Sequence, residues 1–213
     1  MESLTNSKKD KNSIEVEISG LFSKKKIIFK DDFLEYRNKK ISYNDIIGIS
    51  YIAISTSINF IPVGTQHKFT LTTKKDEISL SLKKDEWMKL INISKQLIEP
   101  ILIQHIVKQI FEENHEYEIG GVTFNNKGYY KNKFFGGIKE VLWKDEIFIP
   151  QYSEGCVIIF KEKNGGGKEF ASISMSEENA VLLPELIEIC ANYFNYKNNK
   201  KHIRRPQNKH KKE

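Results

Sequence analysis

The stretch Ile41-Ser42-Tyr43-Asn44-Asp45-Ile46-Ile47 is answered a hundred residues later by Val141-Leu142-Trp143-Lys144-Asp145-Glu146-Ile147. Both read apolar, any, aromatic, polar, Asp, any, Ile. The upstream residues match as well, Ile28-Phe29-Lys30-Asp31-Asp32 before the first stretch and Thr123-Phe124-Asn125-Asn126-Lys127 before the second. The offset there is 95 rather than 100, so the second copy carries about five extra residues in the intervening hairpin. An internal echo of this kind sets the domain count before any other reading. It points to two copies of one small unit of strands and a helix.

Working outward from the first stretch, Ile14-Glu15-Val16-Glu17-Ile18 alternates as a half-buried strand does. Ile27-Ile28-Phe29 begins a second strand, Asp31-Asp32 suits a tight turn, and Phe33-Leu34-Glu35-Tyr36 follows. Asn38-Lys39 is a second turn. Ile41, Tyr43 and Ile46 start a longer strand with a bend expected near Gly48, and Ile49 to Ser55 keeps a period of two. His67 to Leu71 and Ile78 to Leu82 form a hairpin around Lys74-Lys75-Asp76. From Asp85 the period changes: Trp87, Leu90, Ile91, Leu97, Ile98, Ile101 and Leu102 fall at helical spacing, running on through Ile106, Val107 and Ile110. Pro100 interrupts that register. An interior proline costs roughly 3 kcal/mol, so the reading is one kinked helix or, preferably, two helices with Pro100 in the first turn of the second.

The second copy repeats the order. Strands are expected over Tyr117 to Phe124, Gly128 to Lys131, Ile138 to Leu142, Ile147 to Tyr152, Cys156 to Lys161 and Glu169 to Met175, with Asn164-Gly165-Gly166-Gly167 as the last hairpin turn. Ser176 is the expected cap of a closing helix that buries Leu182, Leu183, Leu186, Ile187, Cys190 and Phe194, with Pro184 marking its start. The resulting domain map is a flexible arm over 1–13, units over 14–98 and 117–196, a helical connector over 99–116, and a disordered basic tail over 197–213.

The charge is unevenly placed. The 213 residues carry a formal charge of +6, yet Lys197 to Glu213 holds eight Lys or Arg and one Glu, a balance of +7, which leaves 6 − 7 = −1 for the rest. Two scattered cysteines do not make a disulfide framework, which fits a reducing, cytoplasmic setting. Residues 1–13 lack the apolar core of a secretory signal. The least polar run, Gly48 to Gly64, is broken by Ser, Thr and Asn and is too short to span a bilayer.

Seven short antiparallel strands closed by one amphipathic helix is the outline of the pleckstrin-homology fold, and the chain resembles a tandem of pleckstrin-homology-like (PH-like) domains of the bacterial kind. The resemblance rests on Ile28 to Ile49, its echo Thr123 to Ile149, and the closing helices with Trp87 and Leu186. It implies an α+β fold of two repeated domains, each a small antiparallel β-barrel or sandwich closed by a C-terminal α-helix. It also implies a scaffold that binds lipid head groups, peptides or protein surfaces rather than an enzyme. In the lipid-binding members, basic residues near the first turn grip inositol phosphates, which marks Lys24, Lys25, Lys26 and Lys30, with Arg37 nearby. The alternative is a solvated turn, its cations offset by Asp31, Asp32 and Glu35.

The residues themselves nominate a second surface. Lys131, Lys133, Phe134 and Phe135, beside Gly136-Gly137 in the longer hairpin of the second copy, form a candidate partner-binding tip, unless the phenylalanines lie in a strand with one in the core. Asn164 to Gly167 lacks the following helix that a phosphate loop requires. The five histidines and two cysteines show no metal-ligand spacing, and no nucleophile elbow stands in the sequence, so no metal, cofactor or catalytic residue is assigned. Tyr43 and Trp143 read as core residues, and Asp45 and Asp145 as turn formers. The basic tail reads as solubilising, with no sequence-specific nucleic-acid reading. The expectation is therefore a non-enzymatic adaptor binding a protein partner, with peripheral attachment to anionic membrane lipids through turn and tail as the alternative. A homo-oligomer is compatible with either, and an enzyme with a pocket between the domains is the third class.

Overall fold

The computed structural model describes residues 13–19, 25–58, 61–132, 136–145, 147–163, 166–198 and 203–204. The chain is α+β with mostly antiparallel sheets and a C-terminal helix. Strands β1 (Ile14–Ile18), β2 (Lys25–Phe29), β3 (Phe33–Tyr36) and β4 (Lys39–Ser42) make a four-stranded antiparallel sheet in chain order. Their alternation is the one legible in the residues: Val16, Ile18, Ile27, Phe29, Leu34 and Tyr36 face the core. A 3₁₀ turn, Tyr43–Asp45, then breaks the backbone before β5 (Ile46–Ile58), β6 (Ile61–Thr73) and β7 (Glu77–Leu82) form a second antiparallel sheet. The long strand expected from Ile41 is thus two strands. Ser42 accepts the N–H of Asn44 and starts the turn, and a register shift follows between Ile46 and Gly48.

Helix α1 (Lys84–Leu97) is followed directly by α2 (Glu99–Phe111), with Pro100 in the first turn of α2, as the two-helix reading holds. Glu86 ties the start of α1 to the end of β1: its carboxylate accepts the N–H groups of Ser19 and Lys83, both at 3.0 Å. Burial alone would raise the Glu86 pKa, but these bonds hold it below the usual value.

The second half runs through the same order. Strands β8 (Tyr117–Ile119), β9 (Val122–Asn125), β10 (Gly128–Asn132) and β11 (Ile138–Leu142) form an antiparallel sheet. The expected strand Tyr117 to Phe124 is split because Gly120 and Gly121 turn the chain at φ +55 and +76, a conformation that other residues adopt at a cost. Then come β12 (Ile147–Phe148), β13 (Gln151–Ser153), β14 (Cys156–Lys163) and β15 (Gly166–Ser174), the last three as one antiparallel sheet. Pro150, which has no N–H to donate, separates β12 from β13, where one strand was expected. Ser176 does not cap the closing helix. It hydrogen-bonds Ser174 at 2.7 Å, and a 3₁₀ turn, Ala180–Leu182, leads into α3 (Leu183–Asn198). Within the region expected as a disordered tail, α3 continues to Asn198 and β16 (Ile203–Arg204) pairs parallel to β12.

The echoed aromatics occupy matching places. Tyr43 and Trp143 are 1% and 0% exposed. The Tyr43 hydroxyl donates to the Lys30 carbonyl at 2.6 Å, and the Trp143 indole N–H donates to the Asn125 carbonyl at 2.8 Å. Their backbone N–H groups donate to the carbonyls of Asp32 and Lys127 at 3.1 and 2.9 Å. Lys30 to Asn125 and Asp32 to Lys127 are both the offset of 95 found in the sequence. The same two bonds therefore close the same corner in both halves.

Between the halves, α2 is more than a connector. Leu102, Ile103, Ile106 and Ile110 are buried, each contributing about 1.5–3 kcal/mol of apolar burial. The helix packs on β5 and the first 3₁₀ turn on one side, and on β8, β9 and α3 on the other. At its C-terminal end the Phe111 ring lies 6.4 Å from Trp143 and 4.7 Å from Tyr193 of α3. At its start, Glu99 is 5% exposed and accepts the Tyr51 hydroxyl at 2.7 Å. Burial raises the pKa of both groups. The closest tie is Asn179. Its side chain accepts the Ile49 N–H at 3.0 Å and donates to the Ile47 carbonyl at 3.0 Å and the Tyr117 hydroxyl at 2.8 Å, while its own N–H donates to the Ile49 carbonyl at 2.9 Å. One residue of the second half thus occupies the strand edge of the first.

Candidate functional site

In the first half, two turns come together. Arg37 and Asn38 close β3 to β4 with positive φ at both positions, +49 and +62, the geometry of a tight two-residue hairpin. Thr73 shapes the turn between β6 and β7: its hydroxyl accepts the Asp76 N–H at 2.9 Å and donates to the Asp76 carbonyl at 2.8 Å. Lys39 bridges the turns through an ion pair with Asp76 at 2.8 Å. The Lys39 ammonium holds the Asp76 carboxyl below its usual value. The groove between them has a volume of about 720 Å3. Its floor has Tyr36, Ile41 and Ile78, and its rim has Arg37, Lys39, Lys40, Lys74 and Lys75 facing Asp45, Asp76 and Glu77. Among the described residues, no carboxylate forms an ion pair with Lys74 or Lys75.

The second half gathers cations at the corresponding hairpins. Lys131 on β10 stands opposite Lys139 on β11, and Lys161 and Lys168 face each other across β14 and β15. Lys139 sits over the Phe170 ring at 4.6 Å and donates to the carbonyls of Glu169 and Phe170 at 3.1 and 2.7 Å. Loss of water around this ammonium, and the like charges of Lys131, Lys168 and Lys161, push its pKa below the ordinary lysine value. Lys161 donates to the Glu140 carbonyl at 2.7 Å. Four cations converge here across four strands and two hairpins.

The residues marked from sequence fall differently. Lys131 belongs to this second cluster. Lys133, Phe134 and Phe135, as well as Lys24, lie outside the described residues. Lys26 pairs with Glu15 at 2.6 Å and Glu17 at 3.9 Å, and its hydrogen bond with Glu15 raises its pKa. For Lys26 the offsetting carboxylates are thus Glu15 and Glu17, both on β1. Lys30 lies over the Phe33 ring at 5.5 Å, and Lys40 is over the same ring at 3.5 Å. Lys25 is half-buried. The first-half groove was not marked in advance, because its cations come from turns 36 residues apart (75 − 39) and each pair looks like ordinary turn polarity.

A second groove of about 450 Å3 runs beside α2, lined by Asn44, Ile47, His105, Lys108 and Tyr117 among others. Among the described residues, no cluster of three or more His, Cys, Asp or Glu is placed to hold a metal ion, and no helix is long and apolar enough to cross a membrane. Comparison with family models, with curated proteins and with solved structures returns no match to this chain.

Proposed function

We propose that the chain is a non-catalytic interaction module of two PH-like domains, each a small barrel or sandwich closed by a helix, acting in the cytoplasm. In this reading its cation clusters hold an acidic segment of a protein partner. The observation that carries the reading is that both halves gather lysines between matching hairpins, β3–β4 with β6–β7 and β10–β11 with β14–β15. Burial and like charges already penalise Lys139 in its charged form, so an incoming carboxylate relieves a repulsion that exists before binding.

A protein partner fits better than a membrane. A bilayer surface attracts uncompensated cations at about 1 kcal/mol each. Here Asp45, Asp76 and Glu77 are interleaved among the five cations of the first groove, and Lys26 of the basic turn is occupied by Glu15 and Glu17. Mixed rows of charge suit the mixed surface of a protein. The free thiols of Cys156 and buried Cys190 are consistent with a reducing compartment.

The test is a quadruple reversal, Lys74→Glu, Lys75→Glu, Lys131→Glu and Lys168→Glu, examined by in-cell crosslinking and by flotation with phosphatidylserine vesicles. The expected result is loss of the crosslinked protein partner, an unchanged melting temperature, and no flotation of either form at physiological salt. Flotation of the unmodified protein that the reversal abolishes would replace the protein partner with a membrane. Crosslinking unaffected by the reversal would reject the clusters as the site.

A further inference from the structure

The hairpin β5–β6 extends past the sheet that it helps to form. β7 pairs with His67 to Thr72 only, so Ile54 to Ile58 and Ile61 to Gln66 continue as a two-stranded ribbon. No Asp, Glu, Lys or Arg occurs in the 22 residues from Ile46 to His67, in a chain that is 29% charged. Strand edges in soluble proteins are ordinarily blunted by charge, proline or a covering element. Ala53 and Ser55 are exposed, and Ile54 is 49% exposed.

The outer edge of β5 can be followed residue by residue. The N–H and carbonyl of Ile49 point away from β6, since both bond Asn179. Pairing with β6 is regular from Gly48 to Thr56, so Tyr51, Ala53 and Ser55 present their backbone groups along that same edge. Asn179 occupies the edge at Ile47 and Ile49. Beyond it, among the described residues, no strand pairs with this side of β5.

The sequence along this edge is partly symmetric about Ala53: Ile52 and Ile54 flank it, Ser50 and Thr56 match in kind, and Tyr51 stands where Ser55 does on the other side. From this we infer that two copies of the chain pair through the β5 edge, antiparallel, about a two-fold axis at Ala53. Ala53 then lies opposite Ala53 of the second copy, Ile52 opposite Ile54, and Tyr51 opposite Ser55. No like charges meet, β-branched residues face each other, and the contact is isologous, so it closes at two copies. Asn179 in each copy ends the new ladder before Ile49. The sheet becomes β7-β6-β5-β5-β6-β7 across the dimer. A ladder this short places the association in the weak, concentration-dependent class. It is independent of the cation clusters.

Sedimentation equilibrium of the full chain over a concentration series tests it. The weight-average mass should rise from 24.8 kDa toward twice that value. Ala53→Lys alone and Ala53→Glu alone should each remain at the monomer mass, because the two-fold places each new charge against itself. An equimolar mixture of the two variants should restore the dimer, since opposite charges then meet across the axis. Circular dichroism melts of both variants should match the unmodified chain. A monomer at every concentration, a dimer indifferent to Ala53→Lys, or a mixture that stays monomeric would each overturn the pairing.

Discussion

Single residues explain why two similar halves do not drift apart. Asn179 has φ +64, a conformation that asparagine tolerates better than most side chains, and its amide satisfies three groups that would otherwise lack partners. Asn179→Ala should lower unfolding free energy by about 2–4 kcal/mol, from orphaned buried groups and the left-handed backbone together. Asn179→Gly removes only the bonds and should recover about 1 kcal/mol of that loss in urea titrations. Equal losses for the two substitutions would contradict the backbone part of this argument. Glu99 gives a pH signature. Its folded pKa lies above the ordinary value of 4.5 because burial penalises the carboxylate. The native state therefore keeps this proton after the unfolded chain has released it, so this residue's contribution falls as pH rises from about 4.5 through the raised value. Urea midpoints of Glu99→Gln should lack that decline, and an identical slope in both proteins would remove Glu99 as its source. Trp143→Phe leaves the Asn125 carbonyl without its indole donor and should cost about 1–3 kcal/mol. Tyr43→Phe should cost about the same at the matching corner.

Among the elements, those with a strong period were legible beforehand. Alternation located β1, the apolar runs located β2, β3, β10 and β11, helical spacing located α1 and α3, and Pro100 separated α1 from α2, whereas β8 and β9 read as a single strand. The echo even carried atomic detail, since the 95 and 100 offsets reappear as equivalent hydrogen bonds around Tyr43 and Trp143. What stayed hidden has physical reasons. Spacing places an apolar stripe on α2 but does not say that both halves close over it, because packing partners leave no mark on period. Asn179 sits between a strand and a helix, where a polar residue reads as a cap. The cation clusters join hairpins distant in sequence, and only the fold sets Lys131 near Lys161 and Lys168. The length of β5 and β6 was masked by Asn59, Pro62 and Gly64, residue types that strands ordinarily avoid. For α2, Ile106→Ala should cost about 2–5 kcal/mol by leaving a cavity in a fully packed site, measured by chemical denaturation. A loss below 1 kcal/mol would return α2 to the role of a surface link.

For the molecule as a whole, the consequence is one cooperative body. Buried residues of both halves join in a single core that includes Leu34, Phe69, Leu90, Ile106, Trp143 and Leu186. A shared helix and an interlocked strand edge leave neither half with a complete surface of its own. The two cation clusters are then held at a fixed separation rather than swinging on a linker, so under the proposed function one extended acidic partner would engage both. The same rigidity means that damage on one side is felt on the other: Asn179→Ala should lower the thermal midpoint of both halves together. Differential scanning calorimetry of the full chain is the most direct measurement. A single transition whose calorimetric and van't Hoff enthalpies agree is expected for two halves closed over α2. Two separable transitions, with Asn179→Ala moving only one of them, would show two independent domains on a connector and contradict the shared core.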